Sequence, residues 1–552
     1  MSAPLFKNPD LTLILPNGQN YPLEFGSPLL KSYSMLIAAE SGSGKSSFLA
    51  NILNSLLFRP SVGGRFPPIG VIDNGLAQTF WAQTIYSALP KELHYLVQCV
   101  TPTHAKEDAM NFLDRPLGLS VPPLSQKEFA AGFLQTLLTE PGSDKHPAGM
   151  TGLCNALIAE AYHQFESNQQ RIYNPGNAVI DRALDKTDFR YDLAQPMSFY
   201  QIRDKLFDAG EIEGAYVAQA YAVPTLLDLV RIVNDSTHIR TNYGNKRFYG
   251  EDAISYVSST INNIAEQFPA LAHRSVHNWQ ASKVRIINLQ IAAPKASASD
   301  PITQKTSSLF YGIAWNALFG EYFMRAKEVE AICPERYMAY QMQRLSDLES
   351  SLKCAFVDEY HRASKLNVIN NNVLQIEKEG RARKIFGCFI SQALTPDFPD
   401  EIINQASSIV VLGLPSKDGV VEAYRRFLHY SDQQDKAIRR HLATAFHPKW
   451  GSSCLIYFEY KGGTLLQLAY IPSPAEEVWQ ITTTNSERAL VQYLSQFMAQ
   501  HQTLEILAKE YHFDGASFID NFAGRHQITV DQACEIIGKQ LLKKYQVMDL
   551  NH

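Results

Sequence analysis

The segment Ala39-Glu-Ser-Gly-Ser-Gly-Lys-Ser46 sets two glycines, a lysine and a hydroxyl in the spacing of a phosphate-binding loop, with alanine where that pattern has its first glycine. The apolar run Ser34–Ala39 before it reads as a strand, and the stretch Lys45–Phe58 after it reads as a helix. In that context the backbone N–H groups of the loop and the helix N-terminus can cradle phosphate oxygens. Ser41, Gly42, Ser43 and Gly44 form the cradle. Lys45 reaches the β- and γ-phosphates, the Ser46 hydroxyl ligates Mg²⁺, and Ser47 is placed for the α-phosphate. The chemistry this spacing serves is the binding of ATP with Mg²⁺. A plain glycine-serine turn would not need the lysine and hydroxyl at these two positions.

A second constellation is Cys354-Ala-Phe-Val-Asp-Glu359, an apolar strand ending in two acids. Beside a phosphate loop, Asp358 would hold the Mg²⁺ shell and Glu359 would polarise the attacking water as general base. Alone, the same pair would be surface acids opening a loop. Gln392 ends the strand-like run Gly387–Ser391, where an amide can reach the γ-phosphate or the water. Asp73 also ends an apolar run, Ile69–Asp73, and fits either the Mg²⁺ shell or a helix N-cap. The run Glu379-Gly-Arg-Ala-Arg-Lys384 is either a solvated charge cluster or the carrier of an arginine finger.

These residues need elements to hold them. Through residue 120, strands spaced by helices imply a parallel sheet covered on both faces. From 121 to 280 the pattern turns helical, as in Glu128–Thr139, Leu153–Phe165 and Ala253–Phe268. This reads as an all-α domain inserted into the sheet domain. Strand signals return at Val284–Gln290, Cys354–Asp358, Gly387–Ser391 and Ser408–Gly413. Two β-like runs around Lys461-Gly-Gly463 read as a hairpin. The expected fold is therefore α/β: a RecA-like P-loop core of mostly parallel sheet in two parts, 1–120 and 281–484, interrupted at 121–280 and followed by a helical appendage, 485–552. Thr529-Val-Asp-Gln532 would cap the last helix.

The 552 residues, 45% hydrophobic and 19% charged, suit a soluble multidomain protein. A net charge of −5 speaks against a polybasic nucleic-acid binder. The best candidate for a membrane span, 308–323, is short for one and carries Asn316 and Glu321, so it reads as a buried helix. Seven scattered cysteines have no zinc spacing and fit a reducing cytoplasm.

The order of these parts resembles the type IV secretion and conjugation ATPases: the VirB-type energising ATPase, TraC and the DotO/IcmB-like branch. The resemblance rests on Ala39–Ser46, Val71–Gly75, Ile286–Gln290, Phe356–Tyr360 and Gly380-Arg381 eleven residues before Gln392. It also rests on the position of the helical insertion and on Val478–Thr484, similar to a strand end near the family's C-terminus. The resemblance implies an ATPase, a motor energising pilus assembly or substrate translocation and working as a homo-oligomer, a hexamer by analogy. It implies Arg381 as a finger acting in trans, with Arg383 as the alternative. It implies inner-membrane channel proteins and other secretion ATPases as partners, at the cytoplasmic face of a bacterial inner membrane, with DNA left open. The stretch before Ser34 is short for the family, which implies the ATPase half of a longer protein or a minimal form. A DNA-pumping translocase of the coupling-protein or FtsK/HerA-like kind and a non-hydrolysing nucleotide-binding scaffold are the alternative readings.

Overall fold

The computed structural model describes residues 6–545 apart from 7–8, 41, 60–65, 144, 166–170, 193, 295–298, 415–417, 445, 448, 483 and 514. Its strands are β1 (Leu11–Ile14), β2 (Asn20–Leu23), β3 (Ser34–Ala39), β4 (Ile69–Asp73), β5 (Val97–Val100), β6 (Arg247–Phe248), β7 (Glu251–Asp252), β8 (Val284–Asn288), β9 (Lys353–Val357), β10 (Ile385–Ser391), β11 (Ser408–Leu412), β12 (Phe446–His447), β13 (Gly451–Tyr460) and β14 (Gly463–Ile471). All but β6 and β7 join one twelve-stranded sheet in the order β2-β1-β14-β13-β11-β3-β10-β9-β4-β8-β5, with β12 paired to β13. From β11 to β5 every pairing is parallel. The remaining strands add an antiparallel flank beside β11.

The central strands are apolar throughout because both of their faces are covered. Met35, Ile37 and Ala39 of β3 point into one core with Phe48, Leu49 and Ile52 of the helix Lys45–Leu57. Leu36 and Ala38 point into the other. That second core runs without a break into the helices of residues 121–280: Leu134, Leu157 and Val257 belong to it, together with Phe310 and Ile313 of the helix Pro301–Phe319. The stretch 308–323 is thus largely buried at the junction of sheet and helices. Ile212–Asp235 is long and apolar enough to cross a bilayer by composition, and 67% of its most apolar window is buried within the protein. It forms two helices, Ile212–Ala222 and Leu226–Asp235, parted at Pro224.

Residues 475–545 build a smaller core of their own from Trp479, Leu490, Leu507, Ile519 and Ile537. Thr529 caps the last helix, Val530–Lys544, in a capping box with Gln532. One expectation is corrected. Val478–Thr484, read as a strand end, begins inside the helix Ala475–Gln480, which has Pro474 at its N-cap and Glu476 and Glu477 in its first turn. Acids there complement the helix dipole, and the helix ends at Gln480, before the threonines.

The shared core sets an expected outcome. Replacing residues 121–280 by a short linker uncovers Phe310, Ile313 and their neighbours, so the shortened chain should bind a hydrophobic dye and aggregate. A soluble product with one cooperative melting transition would show that the helices fold apart from the sheet.

Candidate functional site

Parallel strands place all their C-terminal ends on one edge. Register aligns Ala39 with Leu412, Ala38 with Ser391, Phe389 with Val357, and Val357 with Ile72. The segments that follow β3, β9, β4 and β10 therefore emerge side by side, and these segments hold the residues singled out from the sequence.

The loop after β3 turns on Gly42 (φ +81°) and Gly44 (φ +92°), both in the left-handed region that glycine enters without steric cost. Gly44 has a second constraint, since a Cβ there would overlap Ser452 at the start of β13. Gly413, after β11, crowds Ser43 in the same way. Ser43 is buried and its hydroxyl donates to the Glu40 carbonyl at 2.6 Å. Ser41 lies outside the described residues. The helix Lys45–Leu57 starts with no side-chain cap, and its first intrahelical donor is Phe48 N–H, to Gly44 O. The N–H groups of Lys45, Ser46 and Ser47 are thus left at a bare helix N-terminus, the arrangement that binds anions.

The Lys45 ammonium lies 3.2 Å from Asp358 Oδ1 and forms a second ion pair with Glu359. Burial alone would push the Lys45 pKa down, but the two carboxylates outweigh it and hold it above its ordinary value. Burial pushes Glu359 the opposite way, and Lys45 overrides it, so Glu359 is held below the ordinary glutamate value. Glu359 has φ +53°, a left-handed conformation that an L side chain rarely adopts. Its peptide N–H donates to Asp358 Oδ1 at 2.8 Å.

Two residues complete the cluster. Asp73 is fully buried beside Asp358. One carboxylate oxygen accepts from Gly75 N–H at 2.8 Å, and the other has no hydrogen-bond partner. It does not cap the following helix, whose N-cap is Leu76. Burial and the Asp358 charge push Asp73 up to about 7. His361, which the sequence reading passed over, has Nδ1 3.2 Å from Glu359 Oε2, an electrostatic contact and not an aligned hydrogen bond. Its peptide N–H donates to Ser391 Oγ, and Ser391 donates to Asp397 Oδ2 at 2.7 Å. The only sequence signal for His361 is its place two residues after Glu359.

Gln392 is exposed, directly after β10 on the same edge. Arg381 and Arg383 sit elsewhere. They end the helix Asn367–Arg383, which leads into the start of β10, about 20 Å of strand from its end. Arg381 donates to Pro28 O at 3.4 Å, and Arg383 pairs with Glu379 at 2.9 Å.

The residues present fit Mg²⁺. Ser46 supplies a hydroxyl, Asp358 a carboxylate, and Asp73 a buried carboxylate oxygen with nothing bound to it. Among the described residues no group of three or more His, Cys, Asp or Glu forms a self-sufficient metal cage. That is expected of an ion that takes most of its shell from phosphates and water.

The fold and site define a mixed α/β protein with a glycine-rich loop at the end of a central parallel strand and acids at the ends of its neighbours. Among solved structures the chain is similar to the one titled "Structure of VirB4 of Thermoanaerobacter pseudethanolicus", at 13% identity over 86% of this chain and 100% of that chain, with a TM-score of 0.48. No protein-family model and no curated protein matches the sequence.

Asp73 has a measurable signature. Its folded pKa of about 7 stands above the ordinary 3.8, so its stabilising effect is full below about pH 4 and is lost as pH rises to 7. Asp73→Asn should therefore raise the Tm of the nucleotide-free protein at pH 8, with the gain shrinking toward pH 4. Equal Tm values for both proteins across that range would show that Asp73 is not a buried, destabilised carboxylate.

Proposed function

We propose that the chain is an ATPase, the motor of a type IV secretion or conjugation system. The observation that carries the catalytic part is the meeting of Lys45, Asp358 and Glu359 beside a bare helix N-terminus. The secretion part is supported by the order of sequence motifs along the chain.

In this reading the loop N–H groups bind the phosphates, and Lys45 leaves its two carboxylates for the β- and γ-phosphate oxygens. Ser46 and Asp358, with Asp73 behind them, would hold Mg²⁺. When bound, the ion would supply charge neutralisation at the phosphate oxygens. Lys45's departure also removes the cation that holds the Glu359 pKa down. Glu359 then becomes a stronger base at the moment a water needs one. His361 steadies its other oxygen, and Gln392 contacts the γ-phosphate or the water.

Arg381, on the helix that enters β10 at the end far from its own loop, acts from a neighbouring subunit in a ring, with Arg383 as the alternative. Guanidinium suits the task because it stays charged and offers a fork of donors. The ring is a hexamer at the cytoplasmic face of the inner membrane, docked on channel proteins and other secretion ATPases. The helical segment 485–552 is a candidate docking element.

Lys45→Ala should lose roughly 10²–10³ in turnover while the fold survives. Glu359→Gln should bind ATP and hydrolyse it ~10²–10⁴ more slowly, since only activation of the water is lost. Phosphate release and nucleotide binding measured on both variants test this. Wild-type turnover by Lys45→Ala would sink the assignment.

Arg381→Ala should bind ATP normally and lose ~10³–10⁵ in turnover. Mixing it with Lys45→Ala subunits should restore part of the activity, because a mixed interface can join one intact loop to one intact finger. Mixed rings that stay inactive would exclude Arg381.

A further inference from the structure

On the flank of the sheet away from the acids, four rings lie together. His447 stacks on Trp450 with centroids 4.5 Å apart and planes 15° from parallel. Tyr470 of β14 meets both of them at 5.2 Å. His441, whose Nε2 donates to the Ala469 carbonyl at 2.9 Å, backs Tyr470 at 4.7 Å. Trp450 and His447 remain partly exposed.

The place of these rings relative to the phosphate loop gives them a use. In the sheet, β3 is flanked on one side by β10 and β9, whose end carries Asp358 and Glu359, and on the other by β11 and β13. A nucleotide with its γ-phosphate toward the acids runs away from β9. On the opposite side the loop touches the next residues it meets: Gly44 abuts Ser452, and Gly413 abuts Ser43. Trp450 lies two residues before Ser452, about 10 Å, or two strand spacings, from β3. Gly451, at φ +89°, turns the chain between them.

We propose that the His447–Trp450 pair, supported by Tyr470 and His441, is the platform on which the purine base of the nucleotide stacks. This rests on the phosphate-loop reading above and adds the part of the site that distinguishes a nucleotide from a bare polyphosphate. Rings recognise bases through their π faces, and such a contact is sequestered from water on one side only, which suits a partly exposed pair.

Trp450 supplies its own reporter. The chain has five tryptophans, and Trp81, Trp279, Trp315 and Trp479 are buried. ADP with Mg²⁺ titrated into the full chain should change the tryptophan emission, and the change should vanish in Trp450→Phe. Calorimetric titration with ADP and with pyrophosphate, both with Mg²⁺, then separates base from phosphate. Trp450→Ala should weaken ADP roughly 5- to 100-fold and leave pyrophosphate unchanged. Trp450→Phe, which keeps a ring, should retain most of the ADP affinity. Unaltered ADP affinity in Trp450→Ala would overturn the platform, and so would a loss shared equally by pyrophosphate. Wild-type protein that binds neither ligand would overturn the phosphate-loop reading itself, and the platform with it.

Discussion

The Lys45 ammonium is shared between the Asp358 and Glu359 carboxylates, all three largely withdrawn from water. Two negative groups on consecutive residues, with a third at Asp73, would repel one another in a half-dry site. The single cation between them makes the arrangement tolerable. Such a pairing gains little net stability over apolar packing, because desolvation consumes most of the attraction. It does leave the site poised. In the proposed reading the charge that balances the acids is the one a phosphate would take, and the acids would then face the cation and water that arrive with it.

This electrostatic arrangement depends on the sheet. Parallel pairing from β11 to β5 brings the ends of β3, β9 and β4 to one edge, although they are far apart in sequence. The alternation of side chains on β3 divides the interior into two cores. One is closed by the helix that begins at Lys45, and the other is closed by the helices that follow β5. The loop is thus held by apolar packing beneath it and by close contacts with Ser452 and Gly413 beside it.

Much of this was legible in the residues. Strands buried on both faces read as unbroken apolar runs, so β3, β4, β8, β9, β10 and β11 stood out. The glycine spacing of the loop and the paired acids carry chemistry in their types. β1 and β2 did not stand out, because each is four residues long and only part buried at the sheet's edge. Val478–Thr484 misled because threonines favour strands, whereas Pro474 and two acids start a helix there. Asp73 had two local explanations, and the helix that follows, capped at Leu76, removes one of them. His361 and the ring cluster around Trp450 are products of tertiary contact, with no periodicity or motif to announce them.

The pairing of β3 has a consequence for how the chain is made. Ser34 lies beside Gly387, and Leu36 beside Ile409, so the first strand of the parallel core meets both neighbours only when the last third of the protein exists. On the ribosome an apolar segment must wait through most of synthesis with both edges open. Contacts this distant in sequence close slowly and leave sticky intermediates. Until Ser408–Leu412 has emerged, a nascent chain of this design carries an apolar strand that lacks at least one of its two partners, which is the condition that favours aggregation.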